Sequence, residues 1–151
     1  MPIGGGKYTA LNTAVAAVVE CGCPVVVAAG NGASDACDGS PSSAEEATTV
    51  MASNQNDQRA YYSDYGTCTD MYAPGSSIKS AWIGGSSATA TISGTSMASP
   101  HVAGAMAALL AHGADVTPAE LKEEVISRGS VGMITENEEN TPNILLHETC
   151  N

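Results

Sequence analysis

Between Gly94 and Gly104 the chain reads Gly94-Thr95-Ser96-Met97-Ala98-Ser99-Pro100-His101-Val102-Ala103-Gly104, and apolar positions continue through Met106, Leu109 and Leu110. This apolar run makes Ser96–Ala111 the expected central helix of the fold. Thr95 is its expected N-cap, which puts Ser96 in the first turn. Free N–H groups and the positive end of the helix dipole favour developing negative charge there. A serine oxygen so placed suits acyl transfer. Pro100 removes one backbone donor, so a bend near Ser96 is expected.

Other segments alternate between helix and strand signals. Pro24-Val25-Val26-Val27-Ala28-Ala29 is a continuous apolar run ending in Gly30-Asn31-Gly32. Such a run reads as a parallel strand buried on both faces. Thr9–Cys21 reads as a helix with Leu11, Val15 and Val18 on one face and Gly22 as its C-cap. Thr48–Ala52 and Asp70–Ala73 are expected strands. Thr117-Pro118-Ala119-Glu120 is a capping box with proline at the first helical position. That helix presents Leu121 and Val125 and stops at Gly129. Ser86–Thr91, rich in small residues, reads as a loop. Short connections and right-handed crossovers favour an α/β fold, a parallel sheet flanked by helices. At 151 residues one core is possible.

The formal net charge is −11, and the basic residues are Lys7, Arg59, Lys79, Lys122 and Arg128. No basic patch is available to neutralise phosphates, so no nucleic-acid partner is expected. Glu136-Asn137-Glu138-Glu139 reads as a solvated acidic loop. No apolar run is long enough to span a membrane, and no signal peptide opens the sequence. The five cysteines allow two pairs and one leftover thiol. Cys21-Gly22-Cys23 lacks the two-residue spacing of redox or zinc pairs.

The Gly94–Gly104 segment closely resembles the nucleophile motif of the subtilisin-like serine proteases, in particular the proteinase K and aqualysin group. The nucleophile elbow of α/β-hydrolases is different, because it needs glycine where Ala98 stands. The resemblance implies that Ser96 is the nucleophile. It also implies that Asn31 donates to the oxyanion of the tetrahedral intermediate beside the Ser96 N–H. Pro2-Ile3-Gly4-Gly5-Gly6 resembles the edge strand that pairs with substrate, so Pro2, Ile3 and Gly4 are implied substrate contacts. Proline replaces the usual serine there, keeping its carbonyl and losing only an N–H, which an edge tolerates. Ala28, Ala29 and Gly30 are the implied opposite wall of the S1 pocket. Tyr65-Gly66, Asp70–Gly75, Ser80-Ala81-Trp82 and Pro142–Leu146 extend the resemblance along the chain. Cys37 and Cys68 match the positions of a disulfide in aqualysin-like relatives. Asp70, with the carbonyls of Glu45 and Ala47, matches a structural calcium site, a reasonable set because calcium takes hard oxygen ligands. An exposed or strand-capping aspartate is the competing reading of Asp70. The implied substrate is a polypeptide, and the implied location is extracellular or in the secretory pathway.

The subtilase triad runs Asp, His, Ser along the chain. Here His101, His112 and His147 all follow Ser96. Asp35 and Asp38 precede it, but they lie in the loop after Asn31 and match neither missing motif. The order Ser96, Asp115, His147 fits only the α/β-hydrolase arrangement, and it is outweighed. Asp115 falls in the helix-to-helix connection Gly113-Ala114-Asp115-Val116, and His147 falls near the end of the sequence. His101, one turn past Ser96, reads as a packed helix residue. By the same resemblance, the substrate-edge strand extends back to include Met1, where relatives carry a methionine or leucine.

The expectation is therefore a subtilisin-like fold truncated at the N-terminal side. Residues 1–151 would form the C-terminal part of a single catalytic domain, with the missing N-terminal half as partner. Lacking triad Asp and His, the chain alone is expected to be inactive. It is also expected to be marginal or aggregation-prone at its open sheet edge. The alternative is a non-catalytic remnant that binds peptides along Pro2–Gly4.

Overall fold

The structure, a computed structural model, describes residues 1–111, 113 and 116–147. The apolar run before Gly30 forms β2 (Val26–Ala28), whose side chains are all buried. Its neighbours in the main sheet are β4 (Thr48–Ser53) and β5 (Met71–Pro74), followed by β9 (Ile144–Leu145) and β8 (Ser130–Val131). The order is β2-β4-β5-β9-β8, parallel up to β9 and antiparallel between β9 and β8. All six β4 residues are buried, as a strand covered on both faces requires. Val50 and Ala52 turn to one face, where Val102, Met106, Leu121 and Val125 complete a cluster. Met51 turns to the other, with Ala29, Ala36, Tyr72 and Ile134.

The first face is covered by α2 (Thr95–Ala111) and α3 (Pro118–Ser127). In α2 the buried positions are Thr95, Ala98, Ser99, Val102, Ala105 and Met106, a helical stripe that places the helix against β2, β4 and β5. The helix continues through Pro100. α3 starts at the expected capping box: Glu120 N–H donates to Thr117 Oγ1 at 3.3 Å, and Thr117 N–H donates to Glu120 Oε2 at 2.8 Å. Leu121 and Val125 are its buried residues. No helix among the described residues is long and apolar enough to cross a membrane.

Three expectations change. The helix α1 (Thr9–Glu20) buries only Val15, which packs with Val27, Ala44 and Ala47; Leu11 is half-buried and Val18 is 44 % exposed, and the helix also meets β3 (Gly39–Ser40). Its end comes at Glu20, with Gly22 beyond the cap at φ 89°. The edge strand expected over Pro2–Gly6 is confined to β1 (Gly5–Gly6), antiparallel to β3. Pro2, Ile3 and Gly4 run outside any strand and are exposed. Finally, the Ser86–Thr91 stretch does not stay a loop. Its second half enters β7 (Thr89–Ile92), which pairs antiparallel with β6 (Ile78–Ala81) in an outlying hairpin. Alternating threonine and alanine carry the strand where the bulkier alternation of a buried strand is absent.

Candidate active site

Asn31 and Ser96 are brought together where β2 ends and α2 begins. Gly30 sits at φ 120°, and a Cβ there would come within 2.0 Å of Asp64 Oδ2, so the turn demands glycine. Asp64 clamps the loop that follows: its Oδ1 accepts from Gly32 N–H at 2.7 Å and Ser34 N–H at 2.9 Å, while its own N–H donates to Gly30 O at 3.0 Å. Sequence reasoning missed Asp64. Nothing local marks an aspartate that acts on a loop 32 positions earlier.

Thr95 is the first helical residue rather than the cap before it, and it is fully buried. Its N–H donates to Asn31 Oδ1 at 2.9 Å and its hydroxyl donates to the same oxygen at 3.0 Å. The hydroxyl also accepts from Gly30 N–H at 3.2 Å. A backbone N–H can only donate, so the amide of Asn31 must present its oxygen to α2. The Asn31 NH₂ then faces away from Thr95. Asn31 is exposed, and no acceptor for that NH₂ is found among the described residues. Asn31 thus caps α2 from a distance and keeps its two donors for something else. Ser96 follows half-buried in the first turn, and its Oγ donates to Pro2 O at 2.9 Å. That is the carbonyl the proline substitution preserves.

The described imidazoles lie elsewhere. His101, expected to be packed, is exposed on the uncovered side of α2, with Nδ1 2.8 Å from Met97 O of its own helix; His147 Nδ1 is 3.4 Å from Ser130 Oγ. His112, Asp115 and Cys150 lie outside the described residues. Asp35 accepts from Cys37 N–H at 2.9 Å, a local turn contact. Within the described residues, the arrangement supplies a hydroxyl at a helix N-terminus and a free amide donor, without a base on the hydroxyl.

Ala28 and Ala29 are buried at the end of β2, and Gly30 is half-buried beside Thr95. Beside Asn31 opens a cavity of about 530 Å³, lined by Asn31, Asn54, Tyr61, Tyr62, Ser76, Ser77 and Ser93. Tyr62 Oη donates to Gly75 O at 3.0 Å, and burial pushes its pKa above the usual tyrosine value. Of the lining, only Asn31 stood out in the sequence. The tyrosines and serines gain meaning from the fold alone.

Cys37 and Cys68 are joined in a disulfide, tying the loop after Asn31 to the approach to β5; Cys21 and Cys23 are free and exposed. Just beyond Cys68, Asp70 Oδ2 accepts from Thr49 N–H at 2.7 Å. Its Oδ1 lies 3.1 Å from Lys122 Nζ. The same ammonium donates to Ala47 O at 2.7 Å and Glu45 O at 3.1 Å. Burial raises the Asp70 pKa, against the pull of Lys122 and the Thr49 N–H. The oxygens implied for calcium do converge, but around a lysine. As arranged, the set does not fit a calcium ion, because a cation already holds all three oxygens and the Glu45 and Glu46 side chains are exposed.

The sequence profile of the Subtilase family matches residues 3–143. A subtilisin-like serine protease of Cochliobolus lunatus is 49 % identical over 96 % of the chain, and one of Penicillium rubens is likewise 49 % identical over 96 %. The chain spans only 30 % and 31 % of the length of these relatives. The crystal structure of a cold adapted subtilisin-like serine proteinase superimposes with a TM-score of 0.94 at 40 % identity, covering 100 % of this chain and 54 % of that one. A protease from Pseudoalteromonas arctica gives 0.87 at 28 % identity, over 97 % and 47 %.

Proposed function

The chain belongs to the subtilase family, and from that premise we propose that it is the C-terminal part of a serine endopeptidase catalytic domain, with Ser96 as nucleophile. The observation that carries the reading is the fixed amide of Asn31. With its oxygen bound by Thr95, its NH₂ is left to donate to an anion that forms beside the Ser96 turn. In the reaction, Ser96 Oγ attacks the peptide carbonyl carbon while its proton passes to a general base. The carbonyl oxygen gains charge and is held by Asn31 Nδ2–H and the Ser96 N–H. The C–N bond breaks, the amine leaves protonated, and water hydrolyses the acyl-enzyme.

The base and its orienting carboxylate come from the missing N-terminal half, which is the partner this reading requires. A polypeptide substrate would lie along Pro2, Ile3 and Gly4, with Ala28, Ala29 and Gly30 as the opposite wall. Its approach displaces the Ser96–Pro2 hydrogen bond. The disulfide fits an extracellular or secretory location. The chain alone should turn over peptides negligibly.

A second reading has one observation in its favour. Ser96 Oγ is engaged by Pro2 O, and neither described imidazole contacts it, as in a non-catalytic remnant that binds peptides. The transcript upstream of Met1 separates the two. An in-frame extension with Asp and His motifs supports the peptidase, and a stop codon supports the remnant. In a domain completed by such an extension, Ser96→Ala should abolish peptide cleavage and fluorophosphonate labelling. Asn31→Ala should lower turnover by about 10²–10³, the size measured for such a donor in a subtilisin, with a smaller effect on substrate binding. Robust Ser96-dependent turnover by the 151 residues alone would overturn the requirement for an outside base.

A further inference from the structure

We propose that Lys122 is a built-in replacement for a metal ion, so that the loop 45–47 and the start of β5 are held together by an ammonium and not by calcium. The inference is independent of any role for Ser96.

The geometry matches an ammonium in number and distance. A lysine head has three donors and no acceptor. Lys122 Nζ has three oxygen partners: Ala47 O at 2.7 Å, Glu45 O at 3.1 Å and Asp70 Oδ1 at 3.1 Å. Calcium needs more from a site, about six to eight oxygens at roughly 2.3–2.6 Å. Here the second Asp70 oxygen is already bound to Thr49 N–H at 2.7 Å. Elsewhere in the described residues, no group of three or more His, Cys, Asp or Glu side chains could hold a metal.

Charge gives the same answer. Asp70 carries one negative charge and Lys122 cancels it one for one. A divalent ion beside the same carboxylate would stand against a like charge at contact distance. For it to enter, Lys122 would have to give up all three partners and swing into water. The helix works against that movement. Lys122 sits between the buried Leu121 and Val125 on a capped α3, and only 22 % of its side chain is exposed. The ammonium is therefore delivered by a rigid element, as a bound ion is delivered by its ligands.

The test is calcium itself. Equilibrium dialysis of the full chain with calcium should show no binding that depends on Asp70. Its thermal unfolding, followed by circular dichroism, should be the same with calcium or with a chelator. Lys122→Ala should create the response that the natural chain lacks: its midpoint should rise by about 3–6 °C for each tenfold increase in saturating calcium. Folding of that variant only when calcium is present would support the proposal equally. Lys122→Met, which keeps the apolar stem, should behave likewise, and adding Asp70→Asn to it should abolish the response. Two results would overturn the proposal. One is calcium binding by the natural chain that Asp70→Asn removes. The other is a folded Lys122→Ala or Lys122→Met chain indifferent to calcium.

Discussion

The two polar clusters of this molecule are built from similar parts and end in opposite states. Each joins a helix to a loop that leaves or enters the sheet. At Asp70 and Lys122 every donor of the ammonium has an oxygen, and both side chains are about four-fifths covered. At Asn31 and Ser96 the amide oxygen is saturated by Thr95, while the NH₂ faces solvent and the serine hydroxyl rests on a backbone carbonyl. A closed cluster holds the fold together. An open one keeps hydrogen-bonding capacity for a ligand. Residue type does not separate the two; the difference lies in which donors and acceptors the fold has already used.

Breaking what joins the clusters should have the largest effect. The Cys37–Cys68 disulfide links the Asn31 loop to the segment before Asp70 across 31 positions. Replacing both cysteines with serine should cost about 3–4 kcal/mol, read from urea denaturation of the otherwise identical chain. A loss below about 1 kcal/mol would mean that the sheet alone fixes their relative position.

Next comes the closed cluster. Asp70→Ala leaves the ammonium with carbonyls only and should cost about 1–3 kcal/mol, a range held low because the pair keeps some contact with water. Asn31→Ala, in the open cluster, removes only a remote helix cap and should cost about 1 kcal/mol. The same denaturation experiment ranks the two substitutions. A larger loss for Asn31→Ala would erase the distinction between them.

The smallest effect is at alkaline pH. Burial raises the Tyr62 pKa above 10.0, the value the unfolded chain would show. The folded state thus keeps a proton that the unfolded state releases. Tyr62 contributes fully below that pH, and its contribution falls as pH rises through the folded-state value. Tyr62→Phe should flatten this part of the pH–stability curve. An unchanged slope would show that the cavity wall beside Asn31 is wetter than its geometry indicates.

Features set by neighbours in sequence were legible. The Val26–Ala28 strand, the existence of helix α2 and the Thr117–Glu120 capping box all follow from residues a few positions apart, although the sequence did not say which face of α2 is buried. Asn31 and Ser96 were singled out through the resemblance carried by the Gly94–Gly104 segment, and the fold does bring Asn31 against Thr95, the neighbour of Ser96. Partners supplied from far along the chain were not. Asp64 reaches the Asn31 loop across 32 positions, and Lys122 reaches Ala47 across 75. Nothing in Leu121-Lys122-Glu123 distinguishes a structural cation from a solvated one. Helical period alone also overstated the buried face of α1, since periodicity says which side is apolar and not whether anything covers it. The Pro2–Gly4 segment shows the same limit: a motif can be present while the strand it forms elsewhere contracts to Gly5–Gly6.

The cross-link between Cys37 and Cys68 gives the covalent chain the topology of a ring with two tails, Asn31 on one and Ser96 on the other. Cutting one peptide bond inside the ring, for example in the exposed 55–57 turn, opens the ring but leaves both residues in one molecule. Cutting one bond in the exposed stretch 82–87 divides them into separate pieces. A molecule of a proteolytic family can therefore take a nick in exposed turns inside the ring without being divided, and must protect the exposed stretches outside it that lie between Asn31 and Ser96. Non-reducing electrophoresis tells the two scars apart at a glance.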